Sequence, residues 1–376
     1  MSSRPAATNA LLVVASVLLT LVGFEIALRL AGFEPGGERA VRRMVSPRGT
    51  PLVDCFPSNP RGYFDIDLRE PAKRVLYRGL APYRFDAIAR DHRWAVEVRY
   101  NALRFRDVPP APRPRGFRRV VVLGDSFAEG QGVKEGDTLA RVLERLLEKR
   151  APGRYEVRNC GRRGMDFPEL FGTFEDALAY EPDLVIYTLT LNDAVQPREF
   201  RERQSFVNDW ILDRTQEPDA PEAPPSLFRP RVFDFVNDRV SALLIGRETT
   251  RWYLDMWSDA NRRGFERTQE YLREMKRRLD ERGARLLIAP WPLFVGLERG
   301  YPFAPVHDTI HRFCLVARIP HHDLLKTFEG RPSADLWVHP VDHHPNEIAH
   351  RIAAQAIVRA IDEVVPRVKA PGLPHP

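Results

Sequence analysis

The first pattern along the chain is one uninterrupted apolar stretch close to the N-terminus. Residues 5–24 carry no charge. As a helix, a stretch of this length spans about 30 Å, which is the thickness of a bilayer core. We therefore predict a transmembrane helix within residues 1–33. Glu25 and Arg29 lie four residues apart at its end, so they are expected to pair on one helix face at the membrane edge.

A cleaved signal peptide is the alternative interpretation of this segment. Its apolar stretch is long for a signal peptide, and no small-residue cleavage site precedes a polar start, so we favour an uncleaved anchor. Only Arg4 precedes the span, and three arginines follow within residues 39–43, which by the positive-inside rule favours a cytoplasmic domain. Two glutamates lie near those arginines, and a short N-terminal tail before a large domain favours export. We expect a single-pass protein with an extracytoplasmic, periplasmic domain.

Beyond the anchor the pattern of apolar positions changes twice. Residues 34–115 are irregular and rich in proline, glycine and arginine, which predicts an extension and a linker. From residue 116 to 365, short apolar runs alternate with amphipathic segments, and residues 366–376 form a tail. Alternating strands and helices predict a parallel sheet covered on both faces. The expected fold class is α/β, a flavodoxin-like three-layer α/β/α sandwich with a five-stranded parallel sheet.

Each predicted element of this domain follows from its periodicity. Continuous apolar runs are typical of strands buried on both faces, and amphipathic runs indicate surface helices. The strands are expected at residues 120–123, 155–160, 183–189, 284–290 and 321–325. The helices are expected at residues 138–150, 167–180, 267–281, 309–317 and 346–364. Residues 194–265 break the alternation and are rich in aromatic side chains, which we interpret as an insertion containing one or two helices.

Composition and charge narrow the functional class. The chain is 43% hydrophobic and 29% charged, which excludes wholesale disorder and a polytopic membrane protein. The net charge of +6 is spread along the chain without a basic block, so we predict no nucleic-acid binding. Three cysteines without a CxxC pair exclude a disulfide scaffold and a four-cysteine zinc site.

Residues with catalytic chemistry follow the predicted strands. Ser126 follows the first strand, Gly164 the second and Asn192 the third, and His344 precedes the last helix. Because the carboxyl ends of parallel strands meet at one edge of a sheet, these residues are expected to converge there. They comprise a nucleophile, two oxyanion donors and a base, and Asp342 lies two residues before the base.

At these residues the chain resembles the SGNH, or GDSL, hydrolase family, in its membrane-anchored bacterial form. The family's GDSxxxG block corresponds to residues 124–130, and its later blocks correspond to Gly164, Thr190–Asp193 and His344. Thr190 stands where the family's GxND block has glycine. The resemblance covers about residues 116–365.

The resemblance implies a serine esterase that works through an acyl-enzyme and needs no cofactor. Ser126 would attack an ester carbonyl, and His344 would carry the proton to the leaving alcohol. The backbone N–H groups of Ser126 and Gly164 and the side-chain amide of Asn192 would form the oxyanion hole. The expected substrate is an O-acetyl or short acyl ester of a carbohydrate or lipid.

The residue that orients the base departs from the family pattern. The family has an aspartate three residues before the histidine, where this chain has Val341. We expect Asp342 to take the role, with Asp335 as the second candidate. A Ser–His dyad with a backbone carbonyl as the orienting group is the third possibility.

The same part of the sequence allows other interpretations. Four histidines lie between His339 and His350, but Pro340 and Pro345 interrupt any helix and no carboxylate or thiolate cluster accompanies them, so we predict no metal site. For the function, one alternative is an envelope carbohydrate O-acyltransferase with the same triad. The other is a non-catalytic envelope binding protein on the same fold, for which Thr190 and Val341 are the only support.

Overall fold

The computed structural model describes residues 4–33, 100–203, 230–339 and 342–364. These residues form one N-terminal helix and an α/β domain. Parts of three predicted segments lie outside them. These are residues 34–99 of the extension predicted over residues 34–115, residues 204–229 of the insertion, and the tail. The positions of the predicted domain boundaries stay predictions.

A four-stranded parallel sheet forms the centre of the domain. The strands are β1 (Arg118–Gly124), β2 (Tyr155–Gly161), β3 (Leu184–Thr188), β4 (Arg285–Ile288), β5 (Trp337–His339) and β6 (Asp342–Pro345). The strand order in the parallel sheet is β2-β1-β3-β4, and a separate antiparallel pair is formed by β5 and β6. Val122 in the middle of β1 pairs with Asn159 of β2 and Ile186 of β3.

The predicted fifth parallel strand, over residues 321–325, is reduced to one bridge between His321 and Ile288. The backbone of the segment does follow β4, because the Ile288 N–H donates to Pro320 and the His322 N–H donates to Ile288. Beyond that point Pro290 has no N–H to donate, so one bond of the ladder is missing, although the Leu324 N–H still donates to the Pro290 carbonyl at 3.0 Å.

Helices cover both faces of the sheet, as predicted. The helices are α1 (Arg4–Leu30), α2 (Ser126–Glu129), α3 (Leu139–Arg150), α4 (Glu169–Ala177), α5 (Arg198–Arg203), α6 (Arg231–Met256), α7 (Arg262–Asp280), α8 (Ala304–Ala317), α9 (Leu325–Phe328) and α10 (Glu347–Val364). Alternate residues of β1 point to opposite cores. Val121 and Leu123 belong to a core shared with α4 and α7, and Val120 and Val122 belong to a core shared with α3 and α10.

Two helices lie partly outside this sandwich. Within α1, the segment Thr8–Leu30 contains an 18-residue stretch with a mean hydropathy of 2.5 that is almost entirely exposed, so by length and composition the helix is able to cross a membrane. The long helix α6 belongs to the predicted insertion. Its last turns enter the domain core through Tyr253, Met256 and Trp257, while its first turns contact α1.

Candidate active site

The turn after β1 presents Ser126 at the start of the short helix α2. The side chain of Asp125 caps this helix by accepting a hydrogen bond of 2.9 Å from the backbone N–H of Phe127. Gly124 is required at the end of the strand, because a Cβ there would lie 2.3 Å from the Thr188 hydroxyl. The turn holds Ser126 at the carboxyl edge of the sheet, with its side chain nearly buried.

The structure brings His344 to Ser126 across 218 residues of sequence. The imidazole Nε2 lies 2.8 Å from the serine Oγ, which is hydrogen-bonding distance. His344 lies in β6, and the centre of its ring is 5.4 Å from the centre of the Phe127 ring in an edge-on arrangement. A serine hydroxyl and an imidazole in this geometry can exchange a proton, which is the first requirement for a serine nucleophile.

The other ring nitrogen of His344 faces Gln131. The Gln131 side-chain amide lies 3.2 Å from Nδ1, and the residue is almost fully buried. For Nε2 to accept the serine proton, Nδ1 must carry the ring proton and an acceptor must face it. A 180° rotation of the amide places the Gln131 oxygen there. Sequence reasoning missed this residue, although it directly follows the glycine that ends the GDSxxxG block.

The two acids that were predicted as candidates for orienting His344 lie in different elements. Asp342 lies in β6, two residues before His344, but its side chain lies outside the described part of the chain. Asp335 lies in a turn of 3₁₀ helix, Ser333–Leu336, where its backbone carbonyl accepts a hydrogen bond from the Asn346 side chain. Which acid orients His344 stays a prediction.

A buried network of two carboxyl groups lies behind the nucleophile. The Thr190 hydroxyl lies 2.9 Å from Asp125 Oδ2 and 2.8 Å from Asp193 Oδ1. Asp193 Oδ2 also accepts hydrogen bonds from the Tyr187 hydroxyl and the Thr190 N–H. Burial raises the pKa of Asp125 above its ordinary value. Burial and the charge of Asp125 together raise the pKa of Asp193 well above its ordinary value.

The predicted oxyanion residue Asn192 joins this network. Its side chain makes a hydrogen bond to Asp125. Burial raises the pKa of the Asp125 carboxyl, and this hydrogen bond partly offsets that increase. The residue is half-buried, at the carboxyl edge of β3. Asn192 is therefore held against the residue that immediately precedes Ser126. Thr190, which replaces the family's glycine, supplies the hydroxyl that links the two acids.

The loop after β2 packs closely against α2. A Cβ on Gly161 would lie 2.1 Å from the backbone nitrogen of Glu129, so only glycine fits. Two residues later, the backbone N–H and the guanidinium Nε of Arg163 bind the carboxylate of Glu129 at 2.9 and 3.0 Å. Burial would raise the pKa of Glu129, but the Arg163 charge and hydrogen bonds outweigh it and hold the pKa below its ordinary value. Gly164 follows directly with a left-handed backbone, φ 70°.

The clustered histidines do not converge on a common point. In the described part of the chain, no group of three or more histidine, cysteine, aspartate or glutamate side chains is placed to hold a metal ion. The ring of His343 stacks on Trp337 at 3.9 Å, and His350 is fully buried beside Trp291. Burial lowers the pKa of His350 to about 3, so it is neutral. The side chain of His339 lies outside the described residues.

Comparisons with known proteins identify the family of the α/β domain. The model of the GDSL-like lipase/acylhydrolase family matches residues 122–352. Among solved structures, a lipase/acylhydrolase from Enterococcus faecalis is 15% identical with a TM-score of 0.40, over 67% of this chain and 100% of its own. An acetylxylan esterase from Geobacillus stearothermophilus is 15% identical with a TM-score of 0.41, over 65% of this chain and 94% of its own. No curated protein matches significantly. Because the family model spans more than half of the sequence, the chain belongs to the GDSL-like lipase/acylhydrolase family and is an ester-hydrolysing enzyme of that family.

Proposed function

We propose that this enzyme hydrolyses a carboxylic ester with Ser126 as nucleophile and His344 as general base. The observation that carries the proposal is the 2.8 Å separation of His344 Nε2 and Ser126 Oγ. In the first step, Ser126 Oγ bonds to the ester carbonyl carbon while His344 accepts the hydroxyl proton. The tetrahedral intermediate collapses to an acyl-enzyme, and His344 returns the proton to the leaving alcohol. A water molecule, deprotonated by His344, then releases the acid and regenerates Ser126.

The oxyanion of the tetrahedral intermediate would be held by three donors. They are the backbone N–H groups of Ser126 and Gly164 and the side-chain amide of Asn192. The contact of Asn192 with Asp125 and the Arg163–Glu129 pair beside Gly164 support this assignment, because they fix both donors relative to the nucleophile. One such donor typically contributes about 3–4 kcal/mol to transition-state stabilisation.

The orientation of His344 is the third part of the proposal. Asp342 is the proposed orienting acid, and the side-chain amide of Gln131 lies 3.2 Å from Nδ1. An acceptor at that position holds the imidazole in the tautomer whose Nε2 can accept a proton.

The proposed substrate is a short-chain ester of a carbohydrate or a lipid, presented beside a membrane. The apolar helix α1 supports this location, because it is long enough to anchor the enzyme and lies almost entirely exposed. We propose that α1 is retained as a single-pass anchor and that the catalytic domain is extracytoplasmic.

Hydrolysis of p-nitrophenyl acetate and p-nitrophenyl octanoate by the detergent-solubilised full chain tests the proposal. Ser126→Ala is the matched control, since it removes one oxygen from a nearly buried site. We expect turnover by the native enzyme and only background rates in the variant, with the acetate-to-octanoate ratio reporting acyl length. Acyl transfer to an added sugar at the expense of hydrolysis would indicate a transferase instead. Absence of turnover above the Ser126→Ala background for both esters would contradict the proposal.

A further inference from the structure

The first half of α6 exposes a continuous apolar face. The first four of its five residues follow one another at intervals of three or four, and the fifth lies four residues after the third, which places all five on one side of the helix. Each is between 49% and 73% exposed, and together they extend over about 17 Å of helix. These residues, called here the α6 stripe, are Phe233, Val236, Val240, Leu243 and Leu244.

The stripe begins where α6 meets the membrane-facing helix α1. Glu25 of α1 accepts a hydrogen bond of 2.9 Å from the backbone N–H of Val232. Phe235 lies edge-on to Phe24 at 5.3 Å and to Phe33 at 5.4 Å, so it is enclosed by the end of α1. These contacts fix the start of the stripe at the level where the apolar part of α1 ends. An apolar surface at that level faces the boundary between acyl chains and headgroups.

Charge changes along the same face of α6. One and two turns beyond Leu244, the positions in line with the stripe are Arg247 and Arg251. Both side chains are exposed, and Arg251 also lies 3.6 Å from the carboxylate of Glu248. A helix face that passes from apolar to basic is suited to a membrane surface, because its apolar end enters the acyl region and its arginines reach the phosphates. The order along α6 matches this arrangement, since the apolar end is the one beside α1.

The far end of α6 is fixed to the candidate active site. Trp257 donates a hydrogen bond of 2.7 Å from its indole nitrogen to the backbone carbonyl of Leu191, which precedes Asn192. Trp252 donates to the Gln196 side chain at 3.1 Å. A membrane contact at the start of α6 would therefore hold the active-site edge of the sheet close to the bilayer.

We infer that the α6 stripe is a second membrane-contact surface, lying in the interface of the bilayer that α1 spans. The inference rests on the proposed retention of α1 as an anchor and goes beyond it. Anchoring through α1 alone would hold the domain near the bilayer by one helix. Contact through both helices gives it one orientation, with the site turned towards esters held in or at the membrane.

Quenching of a site-specific fluorophore by lipids tests this inference. The full chain, with Cys55→Ser as background, is labelled with an NBD fluorophore at Val240→Cys or Leu243→Cys. It is then reconstituted into phosphatidylcholine–phosphatidylglycerol vesicles that contain spin-labelled lipid. Val316→Cys on α8 is the matched control, because Val316 is 80% exposed and apolar but lies on a different helix. A label at Leu19→Cys reports the insertion of α1 itself.

We expect strong quenching at positions 19, 240 and 243 and little at position 316. Quenching at position 19 without quenching at 240 and 243 would overturn the inference while leaving α1 as an anchor. Lack of quenching at position 19 would refute the anchor, which is a separate failure. A third outcome is that labels on the α6 stripes of two different chains lie close together and are not quenched by lipid. That result would show that a second copy of the chain covers the stripe, and it would also overturn the inference.

A second measurement links the stripe to catalysis. The double variant Val240→Asp, Leu243→Asp places charge on exposed positions that touch no part of the site. We expect it to hydrolyse a water-soluble ester at the native rate and a vesicle-embedded ester about tenfold more slowly. If the variant hydrolyses both esters at the rates of the native enzyme, the proposed orientation is contradicted. Absence of hydrolysis by the native enzyme would instead refute the proposed function.

Discussion

The hydrogen bonds of Asp125 and Asp193, the two buried acids behind Ser126, predict which of the two carboxyl groups is protonated. The Thr190 hydroxyl has a single proton, yet it lies within 2.9 Å of carboxylate oxygens from both Asp125 and Asp193. One of the two carboxyl groups must therefore donate to Thr190. Asp193 Oδ2 already accepts from Tyr187 and from the Thr190 N–H, which leaves Oδ1 to carry the proton. In this arrangement Asp193 donates to Thr190, and Thr190 donates to Asp125.

Replacing Asp193 with asparagine tests this assignment, because the amide reproduces the protonated acid. Its nitrogen would occupy the Oδ1 position and donate to Thr190, and its oxygen would keep both hydrogen bonds at the Oδ2 position. Burial and the charge of Asp125 raise the pKa of Asp193 well above its ordinary value. The native state then binds more protons than the unfolded chain at pH values between the two pKa values. Stability supplied by this proton is fully present below about pH 4 and is lost as the pH rises through the folded pKa.

The expected magnitude follows from the linkage of one proton. In the window above about pH 4, the free energy of unfolding should fall with pH by up to about 1.4 kcal/mol per pH unit for a single site. Asp193→Asn should remove the contribution of Asp193 to this slope and leave that of Asp125. The free energy of unfolding of the variant should therefore depend less on pH than that of the native protein. At pH 8 we expect the variant to be at least as stable as the native protein.

Urea denaturation of the detergent-solubilised chain at pH 5, 6, 7 and 8 measures this effect. Asp308→Asn, at an exposed position on α8, is the control and should leave the pH dependence unchanged. Asp193→Ala should destabilise the protein at every pH, because it removes the groups that satisfy Tyr187 and Thr190. If Asp193→Asn loses about 2 kcal/mol or more at every pH with the native slope, Asp193 is charged and the assignment is wrong.

Three further substitutions test how the site is assembled. Glu129→Gln leaves a mostly buried guanidinium without its partner and should lower the free energy of unfolding by about 3–5 kcal/mol, measured by denaturation; a loss below about 1 kcal/mol would contradict the buried pair. Gln131→Leu should lower kcat about tenfold with little change in KM, with Gln131→Glu restoring activity and shifting the pH–rate profile; a native profile in both variants would exclude a positioning role. Gly161→Ala should lower the free energy of unfolding by about 3 kcal/mol or more, because its Cβ would meet backbone atoms. Gly172→Ala, whose Cβ would meet nothing within 4 Å, is the control and should be neutral or stabilising in the same denaturation experiment.

The sequence predicted the parts of the fold that local patterns control. Apolar runs between amphipathic segments predicted the four strands, and the residues that follow these strands suggested the proposed nucleophile and oxyanion donors. Ser126 and His344 are 218 residues apart, yet they meet because both lie at the same edge of the sheet. The uncharged N-terminal stretch likewise predicted α1, because length and absence of charge are local properties.

Other features depend on contacts that no local pattern records. The fifth strand shortens to one bridge, and Pro290 beyond its neighbour β4 lacks an N–H that a full ladder needs. Gln131 was missed because nothing in its sequence context indicates that its amide meets His344. The role of Thr190 becomes visible only when Asp125 and Asp193 approach the same hydroxyl. The insertion was predicted from its aromatic residues, but the contact of α6 with α1 depends on tertiary structure.

Covalent labelling by a fluorophosphonate tests the central claim most directly. The reagent phosphonylates a serine only when a neighbouring base activates it. Intact-mass and peptide mass spectrometry of the full chain should find one adduct, on Ser126, that is absent from Ser126→Ala and strongly reduced in His344→Ala. An unlabelled native protein, or an adduct that persists in Ser126→Ala, would contradict the assignment of Ser126 as the activated nucleophile.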